Sequence, residues 1–249
     1  MTITAAAAGK SGSGKTTIAK ALWRVIRKKH PDKTILLFDN DLSAELAFSF
    51  NKDIRNTIYG IRSGKHEYKT GVPENMSRQE YIEWALEDIL TPIDDNTDII
   101  VSWLTGSKDC RCPITKQLND ALRKMISRYD FVIFDCEYDL KYLQQLTDIP
   151  VNVTLITAAP NDASLRLAKR IAESSGKYAA GGQLGIILNM VNQNEISMLP
   201  ETAKKYDLSV LGIIPKDESM KENRISKDSD AVFNAVEQIY CRLNFPQLS

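Results

Sequence analysis

GKSGSGKT, residues 9–16, packs three glycines, two lysines, two serines and a threonine between an apolar run and an amphipathic one. It satisfies GxxxxGK[ST], in which glycines let successive backbone N–H groups turn toward a phosphate and the helix that starts there adds its positive end. Lys15 is placed to reach the β and γ phosphates, and the Thr16 hydroxyl to hold Mg²⁺. Gly9, Ser11, Gly12, Ser13, Gly14 and Thr17 complete the cradle. A nucleoside triphosphate or diphosphate with Mg²⁺ is the expected occupant.

Around this loop, short apolar runs alternate with amphipathic stretches. Strands are expected at 2–8, 34–38, 98–104, 131–135, 151–157, 184–189 and 209–214, most of them continuously hydrophobic, as in parallel strands covered on both faces. Helices are expected at 15–29, 77–90, 113–128, 161–175, 195–205 and 229–243. In the third of these, Pro113 takes the first position, where a missing N–H costs nothing, and Leu118, Leu122, Met125 and Ile126 form the buried stripe. Residues 60–76 read as a loop. The pattern predicts a single α/β domain over residues 1–249, a P-loop NTPase with a mostly parallel twisted sheet of seven to eight strands flanked by helices on both faces.

Lys plus Arg and Asp plus Glu both number 32, so the net field gives no reason to expect nucleic acid or an anionic membrane as partner. The N-terminal stretch reaches glycine too early for a secretory signal, and no run is long enough to span a bilayer, which points to the cytoplasm. There, the four cysteines, Cys110, Cys112, Cys136 and Cys241, are too few for a disulfide framework. Cys136, in a core strand, and Cys241, in an apolar helix, read as buried structural residues, whereas His30 and His66 read as surface. Trp23, Trp84 and Trp103 read as core or interface aromatics, with burial the simpler account of Tyr81, Trp84 and Ile89.

Lys10, directly after the first glycine, is the second lysine of GKSGSGKTT, which resembles the deviant Walker A signature of the MinD, ParA and nitrogenase iron protein ATPases. The resemblance implies an ATP hydrolase, in which Lys10 reaches across a homodimer to the partner's nucleotide; an exposed loop lysine is the competing reading. Ser11 and Gly12 stand where that class usually has two glycines.

FDNDLSAEL, residues 38–46, puts carboxylates at the carboxyl edge of a parallel strand, where open α/β sheets bind ligands. The resemblance implies that Asp41 orients or activates the attacking water, making it catalytic with Lys10 and Lys15, and that Asp39 supports the metal shell. The alternative is that Asp41 or Ser43 caps a helix starting near residue 44. Asp135, ending FVIFD, resembles a Walker B aspartate. The class then reads DxxxG, whereas this chain reads DCEYD, with Asp139 in place of glycine. A carboxylate beside a phosphate is unfavourable unless it points away or meets a cation. Asn189 resembles the class's base-reading asparagine, and Pro215 and Asp217 in IPKD stand where the class closes over the base; plain turns are the competing reading for each.

KDCRCPI, residues 108–114, sets Cys110 and Cys112 two apart, so on an extended segment both thiols project the same way. Two thiolates leave a soft metal short of four ligands, a deficit a symmetric dimer would fill by bringing both pairs to its axis. With GKSGSGKTT, FDNDL, LNMV and IPKD in the same order, this CRCP resembles the CooC-type accessory ATPases of carbon monoxide dehydrogenase. The resemblance spans residue 3 to about 225 and implies nickel, or zinc in its place, bound between subunits. It also implies delivery to carbon monoxide dehydrogenase, or to acetyl-CoA synthase in a paralogous branch. Leu42 departs from the proline usual there, as Asp139 does from glycine. Two other readings stand beside it: an iron–sulfur electron carrier similar to the nitrogenase iron protein, and a positioning or partition ATPase of the MinD/ParA type.

Overall fold

Four consecutive alanines, Ala5–Ala8, form the middle of the sheet. They belong to β1 (Ile3–Gly9), buried along its whole length and paired in parallel with β5 (Phe131–Cys136) and β6 (Val153–Ala158). Successive side chains point to opposite faces, so Ile3, Ala5 and Ala7 enter one apolar cluster, and Ala6 and Ala8 the other. The computed structural model describes residues 1–54, 56–62, 72–103, 116–179, 181–192, 194, 196, 204–217 and 229–245.

Outward from β1, the sheet continues on one side through β5, β2 (Ile35–Asn40), β4 (Thr97–Val101) and β3 (Thr91–Asp94). On the other side follow β6, β7 (Gln183–Val191) and β8 (Val210–Pro215). Every neighbouring pair is parallel except β3 with β4. Parallel strands need crossover connections, and α-helices lie in those that run through described residues.

The first apolar cluster is covered by α1 (Lys15–Lys29), through Ile18, Leu22, Val25 and Ile26, with the four-residue α2 (Glu45–Phe48) and the last helix beside it. The second is covered by α3 (Ile58–Arg62), α4 (Arg78–Asp88), α5 (Lys116–Ile126), α6 (Lys141–Thr147) and α7 (Asp162–Gly176). The last helix, α8 (Asp230–Tyr240), buries Val232, Val236 and Ile239 and packs against α1 and β8. This is the doubly covered α/β sheet that the alternation of apolar and amphipathic segments predicts.

Several expectations need correction. The short β3 was not foreseen, nor were α3 and α6. Residues 60–62, expected in a loop, close α3. The stripe of α5 is buried as expected, while Pro113, His66 and both thiols of the CxC pair lie outside the described residues, as does most of the helix expected at 195–205. Cys241 is exposed at the end of α8. His30 is half-buried, its ring hydrogen-bonded to Tyr240 at 2.8 Å and close to Phe131. Trp84 is 40 % exposed, while Ile89 is buried. No helix among the described residues is long and apolar enough to cross a membrane.

Gly212 on β8 lets α8 dock: a methyl group there would overlap the Ile239 side chain. Gly212→Val should destabilise the protein by about 1–3 kcal/mol through overpacking, and Ile239→Ala should recover part of the loss when combined with it. Urea denaturation of the single and double variants measures both.

Candidate nucleotide site

The loop between β1 and α1 is held in a backbone shape that L side chains resist. Gly9, Gly12 and Gly14 have φ of 146°, 76° and 95°. At Gly9 a Cβ would lie 2.6 Å from the Thr157 carbonyl oxygen, and at Gly14 it would overlap the Asn189 amide. The loop is braced from two sides. The Ser13 hydroxyl bonds the Thr157 hydroxyl, which itself donates to the Ala8 carbonyl at 3.2 Å. The Asn189 amide nitrogen donates to the Ser13 carbonyl at 2.8 Å, and its oxygen accepts from the Met190 N–H.

Lys15 opens α1 and is 5 % exposed. Its ammonium is 3.4 Å from the Lys10 carbonyl and 3.8 Å from an Asp41 carboxylate oxygen. Thr16, next on the helix, donates its hydroxyl to Asp135 Oδ2 at 2.7 Å. Lys10, Ser11 and Gly12 are exposed at the rim.

Asp39 and Asp135 stand in register one residue before the ends of neighbouring strands, and both are 0 % exposed. Burial raises the Asp39 carboxyl to about 7 despite the N–H groups of Ala47 and Asp41 that bond it, and the Asp41 charge adds to the rise. Burial also pushes Asp135 well above the carboxylate range, with repulsion from Asp39 next, against the opposing effects of Thr16 and Lys15. Asp135 Oδ1 is buried with no hydrogen-bond partner. Crowded, desolvated carboxylates beside a hydroxyl fit Mg²⁺. Thr16 would hold it directly and Asp135 through water, and the ion would neutralise phosphate charge. No cluster of three or more His, Cys, Asp or Glu side chains able to hold a metal occurs among the described residues.

Neither Asp41 nor Ser43 caps α2. Its N-cap is Ala44, in the left-handed region at φ 51°, and Asp39 Oδ2 accepts the Ala47 N–H at 3.0 Å. Asp41 instead folds its own loop, accepting from the Ser43 N–H and hydroxyl through Oδ1, with Oδ2 toward Lys15. Pro215 ends β8 opposite Val191, and Asp217 accepts from Ser229, the N-cap of α8. Cys136 is buried beside Asp135, and burial drives its thiol upward, so it stays a neutral structural residue.

Residues 4–229 match the family described as the CobQ/CobB/MinD/ParA nucleotide binding domain. The chain belongs to that family. Its members are ATP-binding ATPases, and this chain is one of them. Among curated relatives, two uncharacterized ATP-binding proteins of Methanocaldococcus jannaschii are 23 % identical over 244 residues and 26 % identical over 248. The alignments cover 94 % and 92 % of this chain, and 95 % of each relative. The fold is shared with the Pyrococcus horikoshii septum site-determining protein MinD complexed with Mg-ADP (TM-score 0.68, 21 % identity, covering 96 % of this chain and 93 % of that one). It is also shared with a putative plasmid partition protein of Borrelia burgdorferi bound to AMPPNP (TM-score 0.67, 18 % identity, 97 % and 98 % covered).

Motif reading put Ser13 in the cradle but missed its partner Thr157, an ordinary hydroxyl in sequence that only the pairing of β6 with β1 brings to the loop. A cleft of about 190 Å³ opens beside the loop, between Lys10–Ser13 and α7, walled by Ala158, Leu167, Ile171 and Met190.

The raised Asp39 carboxyl makes a pH prediction. Between the ordinary aspartate value of 3.8 and about 7, the folded state keeps a proton that the unfolded state has lost, so stability falls as pH rises through that window. Comparing Asp39→Asn with wild type by urea denaturation without Mg²⁺, the difference should move in the variant's favour by up to about 1.4 kcal/mol per pH unit and level off above the window.

Proposed function

We propose that the chain is a dimeric, Mg²⁺-dependent ATPase whose nucleotide cycle gates a metal site made by Cys110 and Cys112 of two copies. The cargo is nickel, with zinc as a substitute, destined for carbon monoxide dehydrogenase or acetyl-CoA synthase in the cytoplasm. The observation that carries the ATPase half is the cluster of Lys15, Thr16, Asp41 and Asp135 around one loop, with a 2.7 Å Thr16–Asp135 bond.

The loop N–H groups and Lys15 bind the β and γ phosphates, and exposed Lys10 reaches phosphate across the dimer axis. Lys15 is shared: unliganded it faces Asp41, and a triphosphate drawing on its charge releases the Asp41 carboxylate to orient a water and take its proton. Asn189, now bonded to Ser13, stands with Pro215 and Asp217 at the edge that would enclose the base. The metal half is supported by the CxC spacing and by chain order: β4 ends at the same sheet edge as the phosphate loop, and the two cysteines follow it.

The positioning reading draws on the likeness to septum-site and partition proteins, which concerns fold. Against a membrane anchor in α8 stands the burial of its apolar face on α1 and β8. Liposome or DNA co-sedimentation with ATP separates the readings, and an iron-dependent absorbance in anaerobically purified protein would favour the electron carrier.

Asp41→Asn should lower the ATP hydrolysis rate about 10²–10⁴-fold while nucleotide still binds, whereas Lys15→Ala should abolish binding. In equilibrium dialysis, the wild type should bind about one nickel per dimer, as a four-thiolate site requires, and Cys110→Ser with Cys112→Ser should lose it. Retained nickel in that variant would remove the metal half and leave the ATPase.

A further inference from the structure

Asp139 occupies the position where a carboxylate is least welcome. The loop that follows β5 touches the phosphate cradle, because the Tyr138 carbonyl accepts the Gly9 N–H at 2.9 Å. Asp139 is the next residue, so its backbone lies one step along the chain from that contact with the cradle. Its carboxylate is nevertheless committed elsewhere. Oδ1 accepts the Lys141 N–H at 2.9 Å, and Oδ2 accepts the Ser174 hydroxyl at 2.7 Å.

We infer that Ser174 is a positioning residue of the nucleotide site, its hydroxyl holding the Asp139 carboxylate away from the phosphates so that the loop tolerates an acid beside a polyanion. The inference rests on the ATPase reading and deepens it. The Lys141 bond is local to the loop and would travel with it. The Ser174 bond comes from a different element, the last turn of α7, and fixes the direction in which the carboxylate points. Earlier on α7, Ser164, Leu167 and Ile171 line the cleft beside Lys10–Ser13. One helix therefore faces the cradle across that cleft and also bonds the acid that must be kept from it. The hydrogen bond also spreads the Asp139 charge onto a donor, which weakens its field at the phosphates.

Without the hydroxyl, the carboxylate is free to rotate toward the cradle, and repulsion grows with the charge of the nucleotide. ATP, which carries one more phosphate than ADP, loses more affinity, and salt screens the loss. A side chain that merely filled space would weaken both nucleotides alike and show no such salt dependence.

The test is titration of the full chain with Mg-ATP, using a non-hydrolysable analogue where turnover interferes, and with Mg-ADP, at low and high salt. Ser174→Ala should weaken ATP about fivefold or more while changing ADP less, and the gap should narrow at high salt. Ser174→Thr, which keeps the hydroxyl, should retain the wild-type ratio of the two affinities. Asp139→Asn should bind ATP at least as tightly as wild type, and adding it to Ser174→Ala should restore ATP binding. Melting curves on each variant confirm folding, and Asp139→Asn alone supplies the comparison should Ser174→Ala fold poorly. An unchanged ATP to ADP ratio in Ser174→Ala, or a double variant that is not rescued, overturns the inference while leaving the ATPase reading intact. A wild-type chain that binds neither nucleotide overturns both.

Discussion

A shortage of positive charge between two buried carboxyl groups governs this molecule. Asp39 and Asp135 sit at matching positions next to the ends of adjacent strands, closed to water, and the nearby cation, Lys15, faces Asp41. The fold makes the juxtaposition unavoidable, since parallel strands in register deliver both side chains to one edge. Burial favours a proton on these carboxyls in the unliganded protein. In the proposed reading a divalent ion takes over that role when nucleotide enters, with the Thr16 hydroxyl, Lys15 and the loop amides close by to share it.

The loop itself is built beforehand. Ser13, Thr157 and the Ala8 carbonyl form a chain of hydroxyl bonds from the loop into the sheet, and Asn189 clamps the next carbonyl. Fixing a glycine-rich segment costs backbone entropy, and here that cost is met on folding rather than on binding. The glycines serve two ends: φ above zero lets N–H groups converge, and the missing Cβ lets β6 and Asn189 come close enough to hold them.

The central strands, the helices over them and the phosphate loop could be read from residue order because each is a long, strongly patterned segment. The omissions share a physical cause. β3 is four residues with a proline, α3 is five and α6 is seven with no side-chain cap, so tertiary packing rather than local preference forms them. Asp39 as the group that binds the Ala47 N–H was hidden for a similar reason. A cap was expected from Asp41 or Ser43, next to the helix, and it came from a strand end eight residues back. Asp139 drew notice as an acid in a glycine's place, yet its partner Ser174 is thirty-five residues away and has no motif of its own. His30 read as a surface residue because its partner, Tyr240, is brought to it only when α8 docks on α1.

The antiparallel β3 finishes one margin of the sheet. Its Pro92 lies opposite Asp98 and has no N–H to offer a further strand, and the pairing slips between Pro92 and Asp94. Such a border is a poor template for another chain to extend. Copies of this protein that come together are thereby steered away from joining strand to strand along that side, and toward contacts made by side chains and loops rather than by a continuous ladder of main-chain bonds.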